Sequence, residues 1–175
     1  MPQAKKPIPK KRRKDGSIIF DDHPEFRPNL TPADIFQMGS FGGTYYRDIY
    51  SGVNDKNYKN AWKEFPKEWF KGLDIKTQVA SQNYDVKVNK YGVKSGTSLE
   101  YWESKGWIKP QDPYGWVHWY CRFYLGRRSI DDERQIKRWD GVCNGRFRLR
   151  LDNMIRAGKD SMVIRQLLLH WAYEY

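Results

Sequence analysis

Eight basic side chains crowd one 27-residue stretch: Arg122, Arg127, Arg128, Arg134, Lys137, Arg138, Arg146 and Arg148. Arginine outnumbers lysine seven to one there. This matters because a guanidinium fork grips phosphate oxygens in pairs and stacks on bases, whereas an ammonium is a point charge. The chemistry is recognition of a polyanion. The competing reading is a solvated, self-paired helical face, since Asp131, Glu133 and Asp140 lie within a turn of Arg134 and Arg138. A second group, Tyr45, Tyr46 and Arg47, follows the paired glycines of Phe41-Gly42-Gly43. It reads either as a loop offering rings to unstacked bases or as a tight turn that packs those rings.

His118 and Cys121 stand three apart, with Cys143 as a third conceivable ligand. A zinc site wants four ligands, usually in paired short spacings, and one pair plus a stray does not meet that. A thiolate–imidazole pair is the other option, yet burial in an apolar helix should raise the thiol pKa. Asp112 reads as a helix cap rather than a base, and Glu100 and Glu103 as surface residues. No P-loop, G-x-G-x-x-G, G-x-S-x-G or H-E-x-x-H pattern occurs. No metal and no cofactor is expected, and no reaction follows from these residues. An enzyme acting on nucleic acid or nucleotides would have its pocket beside His118 and Arg122.

Positioning these groups falls to Asp112–Gly126. Pro113 suits a first helical position, and Gly126 suits a stop. Trp116, Trp119, Tyr120 and Phe123 recur at helical spacing, with Val117, Cys121 and Tyr124 filling most of the remaining circumference. A helix apolar nearly all round is a buried one. Upstream, Thr31-Pro32-Ala33-Asp34 marks a helix start ended by Gly39, and Thr97-Ser98-Leu99-Glu100 a capping box. Tyr58, Ala61, Trp62 and Phe65 have helical spacing, whereas Tyr84, Val86 and Val88 alternate as a strand would. Downstream, Ser129 opens a helix broken at Asn144-Gly145, loosely like a helix-turn-helix. A further helix ends at Ala157, and Asp160 or Ser161 caps the last one. The fold expected is mainly α: a compact single domain of about five or six short helices, with long aromatic-rich loops and a small β-hairpin near 80–95.

The composition sets the frame. Aromatics make up 16% of 175 residues, so the core is built of rings. The net charge of +11 points to a polyanionic partner. Residues 1–14 hold seven of the 32 basic residues and no acid, which leaves 25 basic and 21 acidic in the rest, a net +4. Residues 1–17 read as a disordered basic tail and 18–175 as the globular domain. Lys10, Lys11, Arg12, Arg13 and Lys14 follow Pro9 like a nuclear localisation signal, implying the nuclear import machinery as a second partner. Two cysteines make no disulfide framework. No apolar run is long enough to span a bilayer, and no hydrophobic segment follows the basic N-terminus, so neither membrane nor secretion is expected.

Several blocks carry a resemblance: Phe41-Gly42-Gly43-Thr44-Tyr45-Tyr46-Arg47, Gly106-Trp107-Ile108, Asp112–Trp116, Trp119–Arg128, Arg134–Trp139 and Leu168–Tyr173. Together they resemble a family of small Trp-rich proteins found in bacteria, fungi, algae and plants. The resemblance implies one intact domain from about residue 30 onward and carries no activity. The expectation from the residues is a nuclear nucleic-acid-binding protein, DNA in preference to RNA. The alternatives are the enzyme named above and a protein-interaction module anchored by exposed Trp.

Overall fold

The computed structural model describes residues 10–175; residues 1–9 of the expected basic tail lie outside the described residues. The fold is mainly helical with one small antiparallel hairpin. In chain order it runs α1 (Pro32–Met38), β1 (Ile49–Ser51), β2 (Lys56–Tyr58), the single-turn α2 (Ile75–Gln78), α3 (Leu99–Ser104), α4 (Trp116–Tyr124), α5 (Asp132–Asp140), α6 (Arg146–Arg156) and α7 (Met162–His170). Short 3-10 turns at Phe41–Gly43, Ala61–Glu64, Lys67–Phe70 and Val86–Val88 fill the loops. No helix among the described residues is long and apolar enough to cross a membrane.

Local chemistry explains most element ends. Thr31 and Asp34 form a reciprocal capping box: the Asp34 N–H donates to Thr31 Oγ1 at 3.1 Å, and the Thr31 N–H to Asp34 Oδ2 at 2.8 Å. At α3 the cap falls one residue later than expected, on Ser98, whose Oγ accepts the Tyr101 N–H. Ser161 caps α7 by accepting from Ile164. Gly126, at φ +105°, ends α4: its N–H reaches the Phe123 carbonyl while the Arg127 N–H reaches Arg122, a Schellman pair.

Two expectations are corrected here. The hairpin lies at residues 49–58, with Ile49 opposite Tyr58 and Ser51 opposite Lys56, whereas Val86–Val88 form a 3-10 turn. The side chain of Glu103 anchors the hairpin tip by accepting the N–H groups of Gly52 and Val53. A long-range contact of that kind leaves no mark in local alternation. Asp112, for its part, does not cap α4, whose N-cap is Gly115.

The paired glycines serve close packing. A Cβ on Gly43 (φ +81°) would sit 2.1 Å from the Thr77 carbonyl oxygen, and one on Gly39 (φ +100°) 2.0 Å from that of Val88. Only glycine fits either place.

α4 is the core helix: every residue in it except Arg122 is buried. Phe26 is the hub around it, with ring centroids 5.2–6.2 Å from Trp139, Phe20, Tyr120, Trp119, Phe123 and Trp116. Mostly edge-to-face, these rings bury large apolar area while respecting ring quadrupoles. Most of the polar tips in this core are satisfied, the buried Trp139 indole N–H being an exception among the described residues. The Tyr120 hydroxyl donates to Leu30 O at 2.7 Å, Tyr45 to Tyr114 O at 2.9 Å, and Trp119 Nε1 to Asp132 at 2.9 Å.

Residues 10–17 are docked against this body. Arg12 donates to the carbonyls of Gly16 and Asn29, and Arg13 to those of Ile18 and Pro24. Ile18 beside them is fully buried. Within the expected tail, carbonyls 4 to 17 residues away collect these two guanidiniums. Between α5 and α6 the helix continues as a π-helical turn over Gly141–Gly145. That replaces the helix-turn-helix expectation. The extra residue per turn keeps Cys143 buried while Gly141 and Val142 line a cavity.

Candidate functional site

The expected arginine surface divides into clamped and free groups. Arg122 is bidentate to Glu64 (2.7 and 2.8 Å) and also donates to Asp112 at 3.0 Å. Arg127 grips both oxygens of Asp112 at 2.7 Å. Arg128 pairs with Asp22 through Nε at 2.6 Å and lies 3.7 Å from the centroid of the Phe123 ring. Arg134 is bidentate to Asp131, the pairing that the self-paired reading anticipates. Arg122, Arg127, Arg128 and Arg134 thus each already hold a carboxylate in the fold, Arg128 from an exposed position. Two of their partners, Glu64 and Asp22, are 58 and 106 residues away, too distant for sequence spacing to reveal.

Asp112 explains the clamp. It is 1% exposed and accepts from Arg122, Arg127 and Gln111. Burial alone would push its carboxyl up, but the Arg127 fork and the Gln111 amide outweigh it and hold it below the ordinary carboxylate value. The residue read as a helix cap is a buried ion-pair centre.

Tyr45 and Tyr46 are corrected as well. Both are buried, their hydroxyls satisfied by Tyr114 O and Cys121 Sγ, so neither ring is available to stack on a base. Arg47 is half-buried and donates to Thr44 O. It lines a cleft with Tyr84 and Lys94.

The buried histidines and thiols are structural. His118 lies among the rings of Tyr46, Phe65 and Tyr114, and burial, helped by the Arg122 charge, lowers its pKa to about 3. His170 stacks on Phe41 at 3.9 Å; its Nε2 accepts the Phe41 N–H and sits 3.0 Å from Gln166 Nε2, and burial lowers its pKa to about 3. Burial pushes the Cys121 and Cys143 thiols up, away from thiolate chemistry. No group of three His, Cys, Asp or Glu side chains is gathered among the described residues.

The free cations lie further along. Arg146, Arg150 and Arg156 are exposed and make no ion pair among the described residues. Lys137 is exposed on α5, and Arg148 bonds only Asn144 while lying over Tyr173. A shallow open depression on α6 is lined by Arg146, Leu149, Arg150, Asn153 and Lys159, with no acid among its lining residues. The one acid in α6, Asp152, accepts from the Tyr175 hydroxyl.

An aromatic-walled cavity lies elsewhere, and neither His118 nor Arg122 lines it. It is a cavity of about 480 Å³ bounded by α3, the α4 start, the π-helical turn, α6 and α7. Rings of Phe41, Tyr45, Trp102, Trp107, Trp116, Phe147 and Trp171 make its walls, and Arg138 and Arg146 are its cations. Arg138 spans the faces of Trp107 (5.7 Å) and Trp171 (5.3 Å). Each of these rings was legible as an aromatic, but their convergence from positions 41 to 171 was not. The signal the sequence carries is Trp107 set among Gly106, Lys109 and Pro110, a large ring where no helix can bury it, and in the fold it is partly exposed. No protein-family model matches this chain, and neither a curated protein nor a solved structure does.

Proposed function

We propose that the protein binds nucleic acid, DNA in preference to RNA, by laying the outer face of α6 against the phosphate backbone. The observation that supports this is the set of guanidiniums at Arg146, Arg150 and Arg156, unpaired among the described residues, in a chain that pairs seven other arginines with carboxylates. Cations without partners in the folded state gain most from phosphate, and the net charge of +11 adds long-range attraction. DNA is favoured because the B-form major groove admits an α-helix, while the A-form groove of RNA is too deep and narrow for side chains to read. Import through Lys10–Lys14 would require Arg12 and Arg13 to leave the carbonyls they hold, and polyanion binding does not depend on it.

The test is a fluorescence-anisotropy titration of duplex DNA over a range of salt, with wild-type protein, protein lacking residues 1–9, and Arg146→Ala/Arg150→Ala/Arg156→Ala. Three lost phosphate contacts should make the slope of log K against log salt shallower by about 2.7. A triple variant with the parental slope would move binding off α6, and a slope that becomes shallower only in the truncated protein would place it in the first nine residues.

A further inference from the structure

We propose that the cavity between α3 and the α5–α7 segment binds a small organic oxyanion: a planar aromatic body held between the Trp rings, with a carboxylate or phosphate on Arg138. Volume comes first. About 480 Å³ is in the range of sites that enclose a small ligand, and eight of its lining residues are Phe, Tyr or Trp. Flat rings facing a void select a flat apolar guest, because stacking and dispersion reward close contact over the whole face.

The headgroup follows from Arg138. It is half-buried, pairs with no carboxylate, and makes one good hydrogen bond, Nη1 to Gln135 Oε1 at 2.9 Å; its other contact, with Trp107 O, is 3.5 Å long. Its Nε and Nη2 donors have no protein partner among the described residues. Burial and the neighbouring Arg134 charge lower its pKa to about 10, the mark of a cation short of counter-charge. An oxyanion bridging Nε and Nη2 would satisfy both donors and the charge at once, in surroundings where the bond is strengthened by exclusion of water. Arg146 at the rim, its guanidinium 4.7 Å from the Phe147 ring, supplies a second cation for a dianionic headgroup. The other basic-looking group of the wall, His170, is neutral and already bonded, so it does not compete.

The wall is built for this. The π-helical turn places Gly141, which has nothing within 4 Å of a Cβ position, beside Val142 on the cavity side. A normal α-turn would carry one residue fewer there, and π-turns recur at ligand sites.

The experiment uses 2-naphthoate, its neutral counterpart 2-naphthalenemethanol, and 2-naphthyl phosphate. Binding is read from tryptophan fluorescence and from indole N–H resonances, with Trp107→Phe and Trp171→Phe assigning two of them. Wild-type protein should bind both anions saturably, favour naphthoate over the alcohol by about tenfold or more, and shift the Trp107 and Trp171 signals. Arg138→Gln should erase that preference, bringing acid and alcohol to within about twofold of each other. A preference for the phosphate that Arg146→Gln removes would assign the dianion as the better headgroup. The inference fails if no anion saturates the wild-type protein, if acid and alcohol bind alike, or if Arg138→Gln keeps the acid preference. The acid-to-alcohol comparison needs no variant, so a misfolded mutant would not shelter the idea.

Discussion

At the residue scale, Asp112 carries the strongest energetic statement in the molecule. One buried carboxylate holds two guanidiniums, and both its oxygens are used. Breaking a buried ion pair from one side leaves uncompensated charge and costs more than the pair itself contributes. Asp112→Asn keeps the shape and removes the charge, so urea unfolding should show a loss of about 3 kcal/mol. Adding Arg127→Met to that variant should restore part of it, since the orphaned cation goes too. If the double variant is less stable than Asp112→Asn alone, Arg127 packs rather than pairs. The carboxyl is held below its ordinary pKa, so its contribution is present above the unfolded value near 4 and is lost as pH falls through the folded one.

Among the elements, α4 shows what patterning can specify. Its apolar circumference and Gly126 stop are visible in the chain, and the helix is buried and ends on that glycine through a Schellman pair. It starts after Gly115 rather than Asp112, because Asp112-Pro113 has good capping chemistry locally while two arginines beyond the first turns offer its carboxylate a stronger partner. Phe26 belongs to no helix or strand, yet six rings surround it. A fully buried ring in that position should cost about 3–5 kcal/mol on Phe26→Ala, read from the denaturation midpoint. A loss under about 1 kcal/mol would mean that the segment contributes little to the core.

Across the whole molecule, the aromatic core dictates how stability responds to acid. His118 and His170 stay neutral in the fold with pKa values near 3, whereas unfolded histidine takes up a proton near 6.5. The unfolded state thus binds more protons between those limits, and stability is complete above about 6.5 and falls as pH drops towards 3. Each histidine contributes a slope of about 1.4 kcal/mol per pH unit there, about 2.7 for the pair. Urea midpoints taken from about pH 6 to 5 isolate this slope, since Asp112 begins to matter only lower. His170→Gln should halve it; an unchanged slope would show that the ring titrates in the fold.

The chain's own order settles what neighbours can settle: the Thr31–Asp34 box, the buried circumference of α4, the ring-rich core and the excess of positive charge. Those depend on contacts within a turn or on totals. Apart from Arg134, whose acid lies three residues away, which arginines of the basic stretch remain free depends on carboxylates 10 to 106 residues away, and the cavity on rings drawn from Phe41 to Trp171. Charge pairing and enclosure are properties of distance in space, and no local periodicity encodes them. The same guanidinium is a strut when an acid folds beside it and a binding group when none does.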